Sequence, residues 1–145
     1  MIASRYTMPL IVALSIAAAV ACASADDDSL ACPQGWDQVT EYKLYFGRGE
    51  TSGAPGAVSN QAWEQFLADT VTPRFPDGLT VTDGAGQWRN ESGETLQEQS
   101  KVLTLLVWPD DTALQRLDEI AAEYERRFNQ ESALLTSSPS CASFS

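Results

Sequence analysis

The sequence KVLTLLVWPDDTALQRLDEIAAEYERRF, residues 101–128, joins a strand pattern directly to a helix pattern. The segment from Lys101 to Trp108 is apolar on both faces, which is typical of a strand in the middle of a sheet or one covered on both sides. Asp110 or Asp111 then caps a helix. The apolar residues of this helix share one face: Leu114, Leu117, Ile120, Ala121, Tyr124 and Phe128. The segment predicts a domain that mixes α and β structure.

Upstream of this segment, the pattern predicts another strand and another helix. The stretch TEYKLYFG, residues 40–47, alternates strictly between two faces and indicates a half-buried strand. Residues 48–58 are rich in Gly, Ser and Pro and are expected to form a loop. Ser59 then caps a helix that Pro73 and Pro76 end. The apolar stripe of that helix consists of Trp63, Phe66, Leu67 and Val71.

The remaining segments complete the order of elements. Residues 78–82 are predicted to form a short strand, 83–86 a turn, and 87–89 a return to extended structure. A polar hairpin loop covers residues 90–99, and a last strand covers 132–137. The order is β-α-β-β-α-β, so with right-handed crossovers we expect an α+β domain of the ferredoxin-like type. Its antiparallel sheet would carry two helices on one face and leave the other face open.

The N-terminal residues have the three-part pattern of an export signal. Arg5 precedes an apolar run of 14 residues, Met8 to Ala21, which is shorter than the roughly 20 residues that span a bilayer. Small residues follow the run, so residues 1–25 are predicted to be a signal peptide. Two cleavage sites are possible, and the first is an ordinary signal peptidase site after Ala25.

The second cleavage site lies before Cys22. The sequence Ala19-Val20-Ala21-Cys22 resembles a bacterial lipoprotein box, in which the cysteine is acylated and becomes the new N-terminus. We favour this site slightly, because a cysteine at the end of the apolar run is otherwise unexplained. Residues 26–39 would then be a tether and N-terminal segment, and residues 40–145 a single α+β domain. Either site predicts a periplasmic or membrane-anchored protein of a bacterium, in contact with the membrane only through a lipid on Cys22.

Charge and cysteine content exclude several classes of partner and chemistry. The net charge is −11, which argues against nucleic acid or anionic lipid as a partner because both need basic surface. The chain has no histidine and no Cys-x-x-Cys motif, so we expect no metal, no cofactor and no Ser-His-Asp arrangement. With Cys22 lipidated or removed, Cys32 and Cys141 form an even pair, which predicts a disulfide in an oxidising compartment.

One set of residues offers a candidate binding site. Charged and amide side chains lie near the ends of the two middle strands, beside two aromatic residues, where they could bind a small acid or orient a carbonyl group. The candidate residues are Tyr45, Arg74, Gln87, Trp88, Arg89, Glu98 and Lys101. The alternative, which we weigh more heavily, is a set of ordinary surface ion pairs, such as Arg89 with Glu98 or Arg74 with Asp77, with Trp88 in the core.

Four short motifs also resemble a known family. They are LYFGR at residues 44–48, TPRFPDGLTV at 72–81, GQWR at 86–89 and EQSKVL at 98–103. In this order they are similar to the exported bacterial proteins of domain-of-unknown-function family 3574, over about residues 32–141. The resemblance implies a cell-envelope setting, and it implies neither a reaction nor a ligand.

These observations favour a non-enzymatic envelope domain that binds a small molecule or a partner protein through the open sheet face. The alternative is a cofactor-independent enzyme of the dimeric ferredoxin-like type, by analogy of fold. The strand alternation puts Lys43 and Tyr45 on the open face, next to an apolar strip from the segment that begins at Lys101. We therefore expect a homodimer through that face. The competing arrangement is that residues 90–99 or the C-terminal tail fold over the strip.

Overall fold

A computed structural model of the chain describes residues 31–49, 57–89 and 92–144. The predicted signal peptide, its two cleavage sites and Cys22 lie outside these residues. The elements are β1 (Asp37–Gly47), α1 (Asn60–Phe66) with a π-helical turn (Leu67–Val71), β2 (Thr80–Arg89), β3 (Thr95–Val107), α2 (Ala113–Phe128) and β4 (Leu134–Ala142). The α+β class and the order β-α-β-β-α-β are confirmed. No helix in the described ranges has the length and apolarity needed to cross a membrane.

The sheet has the strand order β2-β3-β1-β4, and every neighbouring pair is antiparallel. The apolar segment that begins at Lys101 belongs to β3, which lies between β2 and β1, as predicted for a strand in the middle of a sheet. The register places Leu44 opposite Leu103 and Tyr45 opposite Val102. Neighbouring residues on β1 therefore point to opposite faces of the sheet.

Both helices pack on the same face of the sheet. One continuous core joins the helix-side residues of β1 and β3 to the buried residues of the two helices. At its centre is an aromatic cluster in which the ring of Phe46 lies 4.6 Å from Tyr124, 5.3 Å from Trp63 and 5.9 Å from Phe66, centroid to centroid. Because full burial of one such side chain contributes about 1.5–3 kcal/mol, this cluster is a substantial source of stability on the helix side.

The two helices begin with different caps. Ser59 caps α1 as predicted, and its Oγ accepts a hydrogen bond from the backbone N–H of Ala62 at 3.1 Å. The expected cap of α2 at Asp110 or Asp111 is wrong, because the N-cap is Thr112. The carboxylate of Asp110 instead accepts hydrogen bonds from the backbone N–H and the hydroxyl of Thr112, at 2.8 and 2.7 Å. It therefore orients the capping residue from two positions upstream.

The apolar stripe of α2 is narrower than predicted. Leu114 was expected in the core and is 54% exposed, whereas Ala113, Leu117, Ile120 and Tyr124 are buried. The buried stripe starts at Ala113, and the helical repeat of 3.6 residues then carries it through Leu117 and Ile120. Leu114 lies one position past that stripe and faces outward.

The hairpin between β2 and β3 is longer than predicted. The expected turn at residues 83–86 is wrong, because Asp83 to Gly86 pair with Lys101 to Glu98 inside a continuous ladder. Likewise β3 begins at Thr95, within the segment expected to be a polar loop. The glycines in β2 are a local turn signal, and the pairing of every residue with β3 overrides it.

A disulfide joins Cys32 to Cys141, with their Cα atoms 5.6 Å apart, and confirms the predicted pair. It connects residues 109 positions apart in the sequence. On the sheet the two lie close together, because Cys141 is opposite Gln38 in the pairing of β4 with β1. In the chain-entropy account, closing a loop of this length contributes about 4.7 kcal/mol.

Candidate functional site

A cavity of about 510 Å³ opens on the side of the sheet away from the helices, at the end of β1. We call it the sheet-face pocket. Strand residues form its floor: Tyr45, Gly47, Gly86, Leu96, Glu98 and Ser100. The segment that leaves α2 forms one side: Asn129, Gln130, Glu131, Ser132 and Leu134. Gly49 and Gln87 complete the lining. The pocket therefore lies where β1, β2 and β3 meet the segment that follows α2.

Glycines in the strands make this hollow. Gly47 lies opposite Ser100 on β3, and Gly86 lies opposite Glu98. A Cβ atom added at Gly47 would lie 2.4–2.7 Å from the carboxyl atoms of Glu98, so a larger residue there would push this carboxylate out of its position. Glycine in a strand interior often marks such a close approach. The volume of the pocket thus depends on the absence of side chains at Gly47 and Gly86 as well as on the side chains that line it.

Glu98 is the side chain that organises the pocket. Its Oε1 accepts a hydrogen bond of 2.9 Å from the backbone N–H of Gly49. A carboxylate that accepts a backbone N–H is held by a charge-assisted hydrogen bond. The position of Glu98 is therefore fixed relative to the end of β1.

The end of β1 is also held by hydrogen bonds on the helix side of the sheet. The hydroxyl of Tyr124 on α2 donates a 2.7 Å hydrogen bond to the carbonyl oxygen of Gly47. Burial raises the pKa of Tyr124 well above its usual range, with an opposing effect from nearby Arg48, so the hydroxyl stays a proton donor. Arg48 is buried and its Nε donates to the carbonyl oxygen of Val58 at 2.7 Å. The helix side thus fixes the backbone that Glu98 contacts.

The pocket carries negative charge next to apolar walls. Glu98 and Glu131 both line it, and within the described ranges no ion pair joins either carboxylate to a basic side chain. Tyr45, Leu96 and Leu134 supply ring and aliphatic surface. Such a site suits a molecule with hydroxyl or cationic donors and an apolar, planar part.

The structure brings together three of the residues predicted to form the site. Tyr45, Gln87 and Glu98 line the same cavity. Arg89 is exposed on β2 and does not line it. The backbone of Trp88 pairs with Leu96, and its side chain lies outside what the structure describes.

The two other basic candidates lie elsewhere. Lys101 is opposite Phe46, so it points to the helix side, where its Nζ lies 2.5 Å from Oδ1 of Asp83. Arg74 lies in the segment between α1 and β2, and its Nε lies 3.3 Å from a carboxylate oxygen of Glu119. None of the three predicted basic residues, Arg74, Arg89 and Lys101, lines the sheet-face pocket. The pocket therefore lacks the cations that a site for a small acid would need. Among the described ion pairs, neither Arg74–Asp77 nor Arg89–Glu98 is formed.

Arg74 belongs to a second cavity, of about 330 Å³, near the other end of the sheet. There the guanidinium of Arg116 lies over the ring of Phe75, 4.4 Å from its centroid, and donates to the carbonyl oxygen of Arg74 at 2.7 Å. It also pairs with Asp110. The guanidinium of Arg116 is thus largely engaged within the protein, although its buried Nε has no hydrogen-bond partner among the described residues. We therefore rank this cavity below the sheet-face pocket.

Sequence reasoning missed the pocket's glycines and the segment after α2. Gly47, Gly49 and Gly86 look like ordinary turn residues in the sequence, although their spacing along two strands was a usable signal. The segment from Asn129 to Leu134 carries no motif. It begins where Asn129 ends α2 in a left-handed conformation, with φ of 52°.

Comparison with known proteins agrees with this fold. The family described as "Protein of unknown function (DUF3574)" matches residues 41–144. The chain belongs to the DUF3574 family. The resemblance carried by the four sequence motifs is thereby confirmed. A search of curated proteins finds none that matches this DUF3574 member.

Two solved structures share the fold of this DUF3574 domain. A phage SAM lyase in complex with S-methyl-5'-thioadenosine is similar with a TM-score of 0.52 and 12% identity, over 73% of this chain and 90% of that one. A phage SAM lyase in the apo state gives 0.52 and 15%, over 77% and 87% of the two chains. At these identities the similarity shows the fold alone.

Proposed function

We propose that this DUF3574 domain is a small-molecule-binding module of the bacterial cell envelope, with its ligand in the sheet-face pocket. The observation that carries the proposal is the carboxylate of Glu98, held by Gly49 in a cavity of about 510 Å³ that has an apolar wall. Ligand pockets commonly measure about 300–1,000 Å³ and combine apolar walls with a few placed polar groups. The envelope setting rests on the export pattern of residues 1–25.

The fold supports a pocket in this place. We propose the ferredoxin-like arrangement, supported by antiparallel neighbours throughout and by two helical connections, β1 to β2 and β3 to β4, that each pass over one intervening strand. Right-handed crossovers put both helices on one face. The other face stays free to carry a ligand.

The ligand class that fits best is a nucleoside with a small apolar substituent. Glu98 can accept hydrogen bonds from the two hydroxyls of a ribose, and the ring of Tyr45 offers a surface on which a base can pack. The side chains of Gln87 and Asn129 offer amide donors and acceptors for the edge of that base. The fold relative that holds S-methyl-5'-thioadenosine makes this compound the first to test.

Calorimetric titration of the purified protein with S-methyl-5'-thioadenosine tests the proposal. We expect saturable binding, and we expect Glu98→Gln to weaken it at least about tenfold, since a hydrogen bond to a charged group contributes about 1.5–3 kcal/mol. The matched control is Glu64→Gln, an exposed carboxylate on α1 outside the pocket. Equal binding by both variants would remove Glu98 from the site, and absence of binding by the unsubstituted protein would reject this ligand class.

A cofactor-independent enzyme is the second candidate, because both fold relatives are lyases and Glu98 is a carboxylate in a cavity. Incubation with S-adenosylmethionine, followed by chromatography for S-methyl-5'-thioadenosine, separates the two candidates. Product that forms at a rate proportional to protein, and that Glu98→Gln abolishes, would favour the enzyme. Binding without turnover would favour the module.

A further inference from the structure

The open face of the sheet carries an uncovered apolar row. Leu134 on β4, Tyr45 on β1 and Val102 on β3 are successive cross-strand partners on this face. Leu134 is 61% exposed and Tyr45 37%, and Leu106, farther along β3 on the same side, is 45% exposed. Contiguous exposed apolar area on a soluble domain usually marks an interaction site.

The C-terminal tail covers only one end of this face. The ring of Phe144 stacks on Trp108 with centroids 5.9 Å apart, and Trp108 donates from Nε1 to a carboxylate oxygen of Asp37 at 3.1 Å. Phe144 is itself 91% exposed, so it covers little. The exposure of Tyr45 and Leu134 shows that the described part of the tail leaves the row open.

Charge indicates what kind of partner fits this face. The chain carries a net charge of −11, so two copies repel each other over most of their surface. On the open face the central charges are Glu41 and Lys43, which neutralise each other in a 2.7 Å ion pair. Around this ion pair a second copy meets a surface as neutral as its own, whereas the carboxylates of Glu98 and Glu131 lie at the pocket end of the face.

The face is also large enough for a stable contact. β1 and β3 share eight paired residues, and the sheet has four strands. With about 3.3 Å per residue and about 4.8 Å between strands, the flat area is about 500 Å² before the relief of the side chains is added. Two such faces give about 1,000 Å² in total, which reaches the minimum size expected of a specific interface.

We propose that this protein forms a two-fold homodimer through the open face of its sheet, with the row Leu134–Tyr45–Val102 at the centre. In a two-fold contact the same patch serves both copies, so a neutral apolar row suits it. Tyr45 and Leu134 also line the sheet-face pocket, and the second copy therefore closes that pocket. This last step rests on the proposed function, whereas the dimer itself does not.

Sedimentation of the purified protein without ligand, at tens of micromolar, tests the dimer. We expect a species of twice the chain mass measured by mass spectrometry. Thr104→Glu should raise the dissociation constant of the dimer at least about 100-fold, because the new charge is buried between the two copies. In the single copy the new carboxylate lies opposite Lys43, so the fold should tolerate it.

The matched control is Leu114→Glu, which places the same charge at an exposed leucine on α2. It should leave the dimer intact. A monomer for the unsubstituted protein, or a dimer that Leu114→Glu breaks and Thr104→Glu does not, would overturn the proposal. Closure of the pocket has its own readout, since Thr104→Glu lies outside the pocket and should still weaken binding of S-methyl-5'-thioadenosine. If Thr104→Glu binds S-methyl-5'-thioadenosine with unchanged affinity, the second copy does not close the pocket.

Discussion

One face of the sheet packs into the core and contributes stability, whereas the other face carries the candidate binding site. On the helix side, Phe46 is fully buried among aromatic rings of both helices. On the open side, its neighbours Tyr45 and Gly47 border a cavity with a carboxylate in it. Because successive residues of a strand point to opposite faces, a single segment serves both roles. Substitutions between Tyr42 and Gly47 should therefore separate into two classes, according to whether the residue number is even or odd.

The largest expected difference is between Phe46 and Tyr45. We predict that Phe46→Ala lowers the free energy of unfolding by about 3–5 kcal/mol, because it removes a buried ring and leaves a cavity. Tyr45→Ala should lower it by less than about 1 kcal/mol, since the side chain is partly exposed and outside the core. Urea unfolding, monitored by tryptophan fluorescence in dilute protein, measures both. Similar losses for the two variants would contradict the division between the faces.

A smaller difference is expected between two glycines of the open face. Gly47→Ala places a Cβ against the carboxylate of Glu98 and should displace it from the N–H of Gly49. We predict a loss of about 1–2 kcal/mol in unfolding free energy and weaker ligand binding. Gly86→Ala is the matched control, because its Cβ would meet nothing within 4 Å.

The control should be neutral or slightly stabilising, by about 0.4–1 kcal/mol, since alanine reduces the entropy of the unfolded chain. Urea unfolding of both variants gives the stability readout. Calorimetric titration of Gly47→Ala gives the binding readout, for which the control is the unsubstituted protein, because Gly86 itself lines the pocket. If Gly47→Ala retains the affinity of the unsubstituted protein, the position of Glu98 does not matter for binding.

Much of the fold could be predicted from the sequence, because periodicity is a local signal. The alternation around Leu44 and the helical stripe through Leu117 each identify a buried face without knowledge of the partner. The turn predicted at residues 83–86 was wrong because it depends on a partner strand. Asp83 to Gly86 pair with β3 along their whole length, and nothing local to a glycine-rich segment reveals that pairing.

The candidate site was only partly predictable, for a related reason. Tyr45, Gln87 and Glu98 come together because they lie near the ends of paired strands, as expected. Lys101 does not join them, because it shares the face of Leu103 and Leu105, two and four positions farther along β3. Side-chain parity would have placed Lys101 on the helix side. The wall formed by Asn129 to Leu134 depends on where α2 ends above β1, which no sequence pattern specifies.

The smallest expected effect concerns two carboxylates outside the sheet-face pocket, Asp110 and Asp83, and it depends on pH. Hydrogen bonds from the side chain and backbone of Thr112, with Arg116 nearby, lower the pKa of Asp110 below its ordinary value of 3.8. Lys101 lowers the pKa of Asp83 in the same way, chiefly through a side-chain hydrogen bond. A carboxylate with a lowered pKa in the folded state stabilises the fold above its unfolded pKa. That contribution is lost as the pH falls through the folded value.

We therefore predict that these carboxylates leave the free energy of unfolding unchanged between pH 7 and pH 5, and reduce it as the pH falls from about 4 toward 2. Asp110→Asn keeps an oxygen that can accept from Thr112 and removes the titrating charge, so its stability should fall less steeply in acid. The matched control is Asp118→Asn on α2, where the described residues form no ion pair. Urea unfolding of the three proteins across this range gives the slopes. Parallel curves for Asp110→Asn and the unsubstituted protein would show that the contact between Asp110 and the start of α2 contributes no pH-dependent stability.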